Sequence, residues 1–228
     1  GLVSAINTDS FDISYTYDEN GNIKEIYRNG HKTNRFYYDD LGQLIREDYA
    51  SNLTTILYTY DDGGNLIHKG YYSYLPNHND SYGLPVNKEV SYSYDSQWKD
   101  LLVNYNGTAI TYDEIGNPQN WRDGMSFSWT GRQLDSVTKN GVTTTYTYDS
   151  NGLRTSKTTG DDVTEYTYLG SSLVYQVTNK GQSDEVSLYF YYDDTGLAAF
   201  YYESAQYPSD NGIYHYVKDA QGNIWGII

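Results

Sequence analysis

Thirty carboxylates, four histidines and no cysteine are the groups with which this 228-residue chain could do ionic or acid–base chemistry. The runs Asp18-Glu19-Asn20-Gly21-Asn22 and Asp61-Asp62-Gly63-Gly64-Asn65 look like pieces of a cation loop, since clustered carboxylate and amide oxygens suit a hard divalent ion. They lack the remaining parts. An EF-hand needs glycine at its sixth position and a carboxylate at its twelfth, and the glycine-rich nonapeptide of calcium β-rolls is absent. His31, His68, His78 and His215 are far apart, with no His-x-x-x-His pair for zinc. Gly-x-Ser-x-Gly, His-Glu-x-x-His and a P-loop are all missing. No catalytic residue, cofactor or metal is therefore expected, and an enzyme reading rests only on carboxylates that folding could bring together. Aromatic rings are the other chemical resource. Tyr71, Tyr72, Tyr74, Tyr82 and Trp98 are the best candidates for a ligand surface such as a sugar-binding face.

The same Asp-Gly segments recur, and what recurs is more often architecture than chemistry. Anchors at Tyr17, Tyr38, Tyr60, Tyr94, Tyr112, Trp129, Tyr148, Tyr168, Tyr192 and Tyr216 mark ten units, spaced by about 21 residues apart from one gap of 34. Seven units carry Asp-x-x-Gly: Asp18 to Gly21, Asp39 to Gly42, Asp61 to Gly64, Asp113 to Gly116, Asp149 to Gly152, Asp193 to Gly196 and Asp219 to Gly222. Aspartate at the first position of a type I turn bonds the backbone ahead of it, and glycine three residues on takes positive φ. That is a three-residue hairpin loop with a bulge. Asn29-Gly30, Asn106-Gly107, Asp123-Gly124 and Asn140-Gly141 supply a second, tighter turn midway through several units. Between turns, Tyr15-Thr16-Tyr17, Tyr58-Thr59-Tyr60 and Tyr146-Thr147-Tyr148 alternate with the period of a strand, both rings on one face. The units at Asp95, Trp129 and Tyr168 lack the motif, so their turns should differ locally.

These patterns predict an all-β chain of tandem β-hairpins in a continuous, curling antiparallel sheet, a single domain over 1–228 with an insertion at 71–89. Leu, Ile, Val and Phe make up only 45 residues, but 29 tyrosines can supply apolar area, so a tyrosine-dominated core is expected. A net charge of −15 without a basic stripe argues against nucleic acid. No apolar run is long enough to span a membrane as a helix. Open strand edges near 11–17 and 214–228 should invite self-association.

Seven phased Asp-x-x-Gly units, six of them directly preceded by tyrosine, resemble the YD repeat of Rhs proteins, wall-associated and polymorphic toxins, ABC toxin B and C components, and teneurins. "FSWTGRQLDSVTKNG" at 127–141 and "YHYVKDAQGNIWGII" at 214–228 are similar to later repeats of an Rhs core. The resemblance implies a hollow β-shell around a C-terminal toxin passenger, with the other YD repeats and that passenger as partners and a secreted or cell-wall location. No plug or aspartyl protease sequence is present to carry autoproteolysis, and the chain reads as a segment excised from a longer protein. The alternative reading is a cell-wall or glycan-binding adhesion module using exposed aromatics.

Overall fold

The computed structural model describes residues 2–7, 12–75 and 85–228. Its regular structure is β, with one short 3₁₀ turn at Pro208–Asp210. Among the described residues the strands follow one another in chain order, each antiparallel to the last. Ten run from Ala5–Asn7 to Thr108–Ala109 in a first sheet, and eleven from Asn120–Trp121 to Ile224–Ile227 in a second. The chain falls into two compact units, residues 1–110 and 111–228.

The tandem hairpins are as expected, but they are carried in two sheets. Between them the Asp113–Gly116 turn closes only an isolated bridge, Tyr112 to Pro118. Proline has no N–H to give to a ladder, which limits pairing at that hairpin. The midway turns have both central residues left-handed, as a type I′ hairpin requires: φ is 47° and 74° at Asn29 and Gly30, and 52° and 76° at Asn140 and Gly141.

The rings pair across strands. Tyr175 faces Tyr189 at 4.8 Å, Tyr189 faces Tyr201 at 6.2 Å, and Phe200 stacks on Tyr214 at 5.4 Å. The core corrects the expectation from composition, however. Among the described residues the buried hydrophobic positions are mainly aliphatic, including Ile13, Ile56, Leu75, Val90, Ile110, Val177 and Val217, and Tyr15 is the one tyrosine among them. The anchor tyrosines are half-buried except Tyr192, which is exposed, and the hydroxyl residues between them, such as Thr16, Thr59 and Thr147, are exposed. A phenol must keep its hydroxyl near water or a partner, so these rings lie across the sheet instead of deep in it.

Two expected boundaries also shift. Tyr71 to Ser73 remain in the strand Leu66–Ser73, and pairing resumes at Lys88–Tyr94, so the insertion interrupts the ladder over a shorter span than 71–89. The strand Asp12–Tyr17 is an inner strand because Ala5–Asn7 pairs along it, with Ile6 opposite Ile13. In the second sheet the outer strand at the C-terminal side is Ile224–Ile227, in which Ile224, Trp225 and Ile227 are exposed.

Candidate functional site

Asp18 shows what the repeated carboxylate does. Its N–H donates to the Asn22 carbonyl at 2.9 Å, and the Gly21 N–H donates to the Asp18 carbonyl at 3.1 Å. The N–H groups of Asn20 and Asn22 both donate to its Oδ1, at 3.0 and 2.8 Å, and the Asn22 side-chain amide donates to Oδ2 at 3.0 Å. Asp61 with Asn65, Asp113 with Asn117 and Asp219 with Asn223 repeat the set. At Asp39 and Asp149 the following residues are Gln43 and Leu153, and the two backbone amides still converge on Oδ1. The glycines take the left-handed conformation at each of these turns, from φ 77° at Gly42 to φ 88° at Gly64. The oxygens a cation would need are thus committed to backbone amides. Among the described residues no group of three His, Asp or Glu side chains is placed to hold a metal.

Asp193 departs from the pattern. It pairs directly with Gly196 in a two-residue hairpin, and its Oδ1 accepts from the N–H and hydroxyl of Thr195. The three units without the motif also close differently. Asp95 spans a longer loop to Leu101, while Thr130 to Gln133 and Leu169 to Ser172 are tight turns with Gly131 and Gly170 at positive φ.

Tyr17, Tyr38, Tyr60, Tyr148 and Tyr192 have a role that spacing alone did not reveal. The Tyr38 hydroxyl donates to the Ile23 carbonyl at 2.9 Å, Tyr60 to Leu44 at 2.8 Å and Tyr94 to Leu66 at 2.9 Å. Each acceptor opens the strand just after the preceding repeat's Asp-x-x-Gly turn. Tyr148 donates to Leu134 and Tyr192 to Leu173, each the second residue of the strand after a tight turn without the motif, while Tyr17 reaches Val3. At Trp129 the indole Nε1–H reaches the Pro118 carbonyl at 2.7 Å, a different ring performing the same task. Tyr38, Tyr60, Tyr94, Trp129, Tyr148 and Tyr192 are therefore clips from one repeat back to the one before it.

A buried ionic network ties the strands Leu44–Tyr49 and Thr54–Tyr60 of the first sheet to Leu75. Arg46 and Asp48 are 3% and 6% exposed, and Thr55 is 0% exposed. The Arg46 Nε donates to Asp48 Oδ1 at 2.9 Å, and the Thr55 hydroxyl donates to the same oxygen at 2.7 Å. The Leu75 N–H donates to Thr55 Oγ1 at 3.0 Å, and Arg46 Nη2 donates to the Leu75 carbonyl. Glu47, between them and on the opposite face, accepts from the Tyr58 hydroxyl at 3.0 Å and the Asn34 amide at 3.3 Å. Burial and the Glu47 charge push the Tyr58 phenol well above its ordinary range. None of these groups is presented to solvent as an acid or base.

The five candidate ligand aromatics do not converge. Tyr71 and Tyr72 are neighbours on one strand and point to opposite faces, and Tyr72 lies against Gly70. Tyr74 is 47% exposed beside Leu53 and Asp48, and Trp98 is 60% exposed in the 95–101 loop. Tyr82 lies outside the described residues.

The turn carboxylates carry a pH prediction. Hydrogen bonds hold Asp18 and Asp61 below the ordinary carboxylate range, chiefly from the side-chain amides of Asn22 and Asn65. Asp113 is lowered mainly by the Asn117 backbone amide, Asp95 by that of Trp98, and Asp193 by the Thr195 hydroxyl. A carboxylate whose folded pKa is depressed adds stability above its unfolded pKa, and that stability is lost as pH falls through the folded value. Urea midpoints should therefore be flat near neutrality and drop below about pH 4. An Asp61→Asn, Asp113→Asn double variant should show a shallower drop, and an unchanged acid profile would show that the turns do not carry it.

No family model matches the chain. A curated relative, the tRNA3(Ser)-specific nuclease WapA of Bacillus spizizenii, is 33% identical over 132 residues, which is 55% of this chain and 5% of that protein. Among solved structures, the Photorhabdus luminescens Tc holotoxin pore matches over 96% of this chain and 12% of that one, with a TM-score of 0.69 and 17% identity. A crystal structure of TcdB2-TccC3 matches over 96% and 14%, with a TM-score of 0.64 and 18% identity. The chain thus spans a small fraction of each protein it resembles, and the likeness to these structures is one of fold.

Proposed function

We propose, from the premise that this chain is a stretch of Rhs/YD-repeat β-sheet, that it forms part of the wall of a shell enclosing a C-terminal toxin passenger. The clip between consecutive repeats carries the reading. Six of the ten anchor rings fasten their hairpin to the preceding repeat, so the sheet extends by repetition and stays stiff without a ligand. The turn carboxylates serve the backbone, and the work of the segment is mechanical: it keeps a passenger and the surrounding medium apart. Its partners are the remaining repeats and the passenger, in a protein that acts outside the cell that makes it.

Limited proteolysis of the parent polypeptide tests this. The passenger should resist digestion while the repeats are folded and become sensitive when Arg46→Met loosens the first sheet. A passenger digested equally fast with the repeats intact would overturn the enclosure reading.

A further inference from the structure

On the face of the first sheet that carries Ile56 and Tyr71, a recess of about 430 Å³ is lined by Tyr49, Asn52, Ile56, Lys69, Tyr71 and Lys88, among others. Ile56 is the register partner of Tyr71, Tyr71 of Lys88, and Tyr58 of Lys69, so strand pairing fixes the arrangement. The Lys69 and Lys88 ammonium groups lie 5.2 and 5.5 Å from the centre of the Tyr71 ring, and Lys69 is also 5.2 Å from that of Tyr58.

Two cations gathered at one ring repel each other unless negative charge joins them. The chain has 30 carboxylates and a net charge of −15, yet among the described residues neither lysine is ion-paired with one. Glu47, on the same face, is already engaged by Tyr58 and Asn34. Exposed Asn52 and Asn87 and half-buried Thr54 add polar groups at the rim. The volume lies within the range of small-ligand pockets, where aromatic walls and a few placed polar groups set specificity.

We propose that this recess binds a sugar ring bearing one anionic substituent, a carboxylate or a phosphate. The anion sits between Lys69 and Lys88, the ring lies against Tyr71 and Tyr49, and the hydroxyls meet Asn52 and Asn87. This site is independent of any enclosed passenger and includes only Tyr71 of the aromatics that the sequence suggests.

Titration of the protein with glucuronate, glucose 6-phosphate, glucose and inorganic phosphate, followed by NMR of the lysine and tyrosine side chains, tests it. At least one charged sugar should give saturable shifts confined to this recess, and whichever saturates identifies the anion. Lys69→Gln and Lys88→Gln should each weaken binding about tenfold, the usual scale for one charge-assisted hydrogen bond. Lys88→Arg and the distant Lys180→Gln should leave it nearly intact, and high salt should weaken it. Equal shifts with neutral glucose, equal saturation by inorganic phosphate (an adventitious ion only), indifference to both glutamine variants, or no binding of either charged sugar would each overturn the proposal.

Discussion

Replacing Arg46 by methionine is expected to destabilise the first sheet by about 3–5 kcal/mol, the usual cost of removing one partner from a buried ion pair. The geometry explains the size. Asp48 would remain 6% exposed with its Oδ1 facing only the Thr55 hydroxyl, and the Leu75 carbonyl would lose its guanidinium donor. An uncompensated carboxylate in that position is the main penalty, and the lost packing of the guanidinium over Tyr37 at 5.2 Å adds to it. An Arg46→Met, Asp48→Leu double variant removes both charges and should recover much of the loss. Urea titration gives the total, and hydrogen exchange at Leu44–Tyr60 shows whether the loss is local. If the double variant is as unstable as the single one, the charge argument fails and packing alone is responsible.

The triple substitution of Tyr38, Tyr60 and Tyr94 by phenylalanine should cost roughly 3 kcal/mol, about 1 kcal/mol for each lost hydrogen bond. The rings stay, so packing is preserved and the change reports the hydroxyls. The clips sit in successive repeats with different acceptors, Ile23, Leu44 and Leu66, so their effects should add within a few tenths of a kcal/mol. Tyr191 is 48% exposed, and Tyr191→Phe serves as the control with little expected effect. Three single variants that each leave the urea midpoint in place would refute the clip as a stabilising device.

Turns and strands were legible from the sequence because both are written locally. Asp-x-x-Gly states its own hydrogen bonds within five residues, and Tyr-Thr-Tyr states its own faces. The clip was hidden because its acceptor lies 15 residues away at Tyr38 and 28 at Tyr94, a distance set by register and not by motif. Trp129, set apart because its unit lacks Asp-x-x-Gly, does the same work with its indole. Arg46-Glu47-Asp48 reads as a solvated charge run, and only its place between two flanking strands with Leu75 against one face buries all three. Leu53 was similarly opaque. It sits at φ 50° with its side chain 65% exposed, a conformation that Ser51-Asn52-Leu53 does not announce. The division into two sheets turned on the single bridge at Pro118, too small a feature for repeat spacing to expose.

The polarity of the clip has a consequence for biogenesis. Most anchor rings donate to a carbonyl made one repeat earlier, so a hairpin leaving the ribosome finds its docking point already synthesised. Such a chain can zip from its amino-terminal side during translation and never needs to wait for distal segments. If the chain walls in a C-terminal passenger as proposed, the barrier then stands before that passenger is translated.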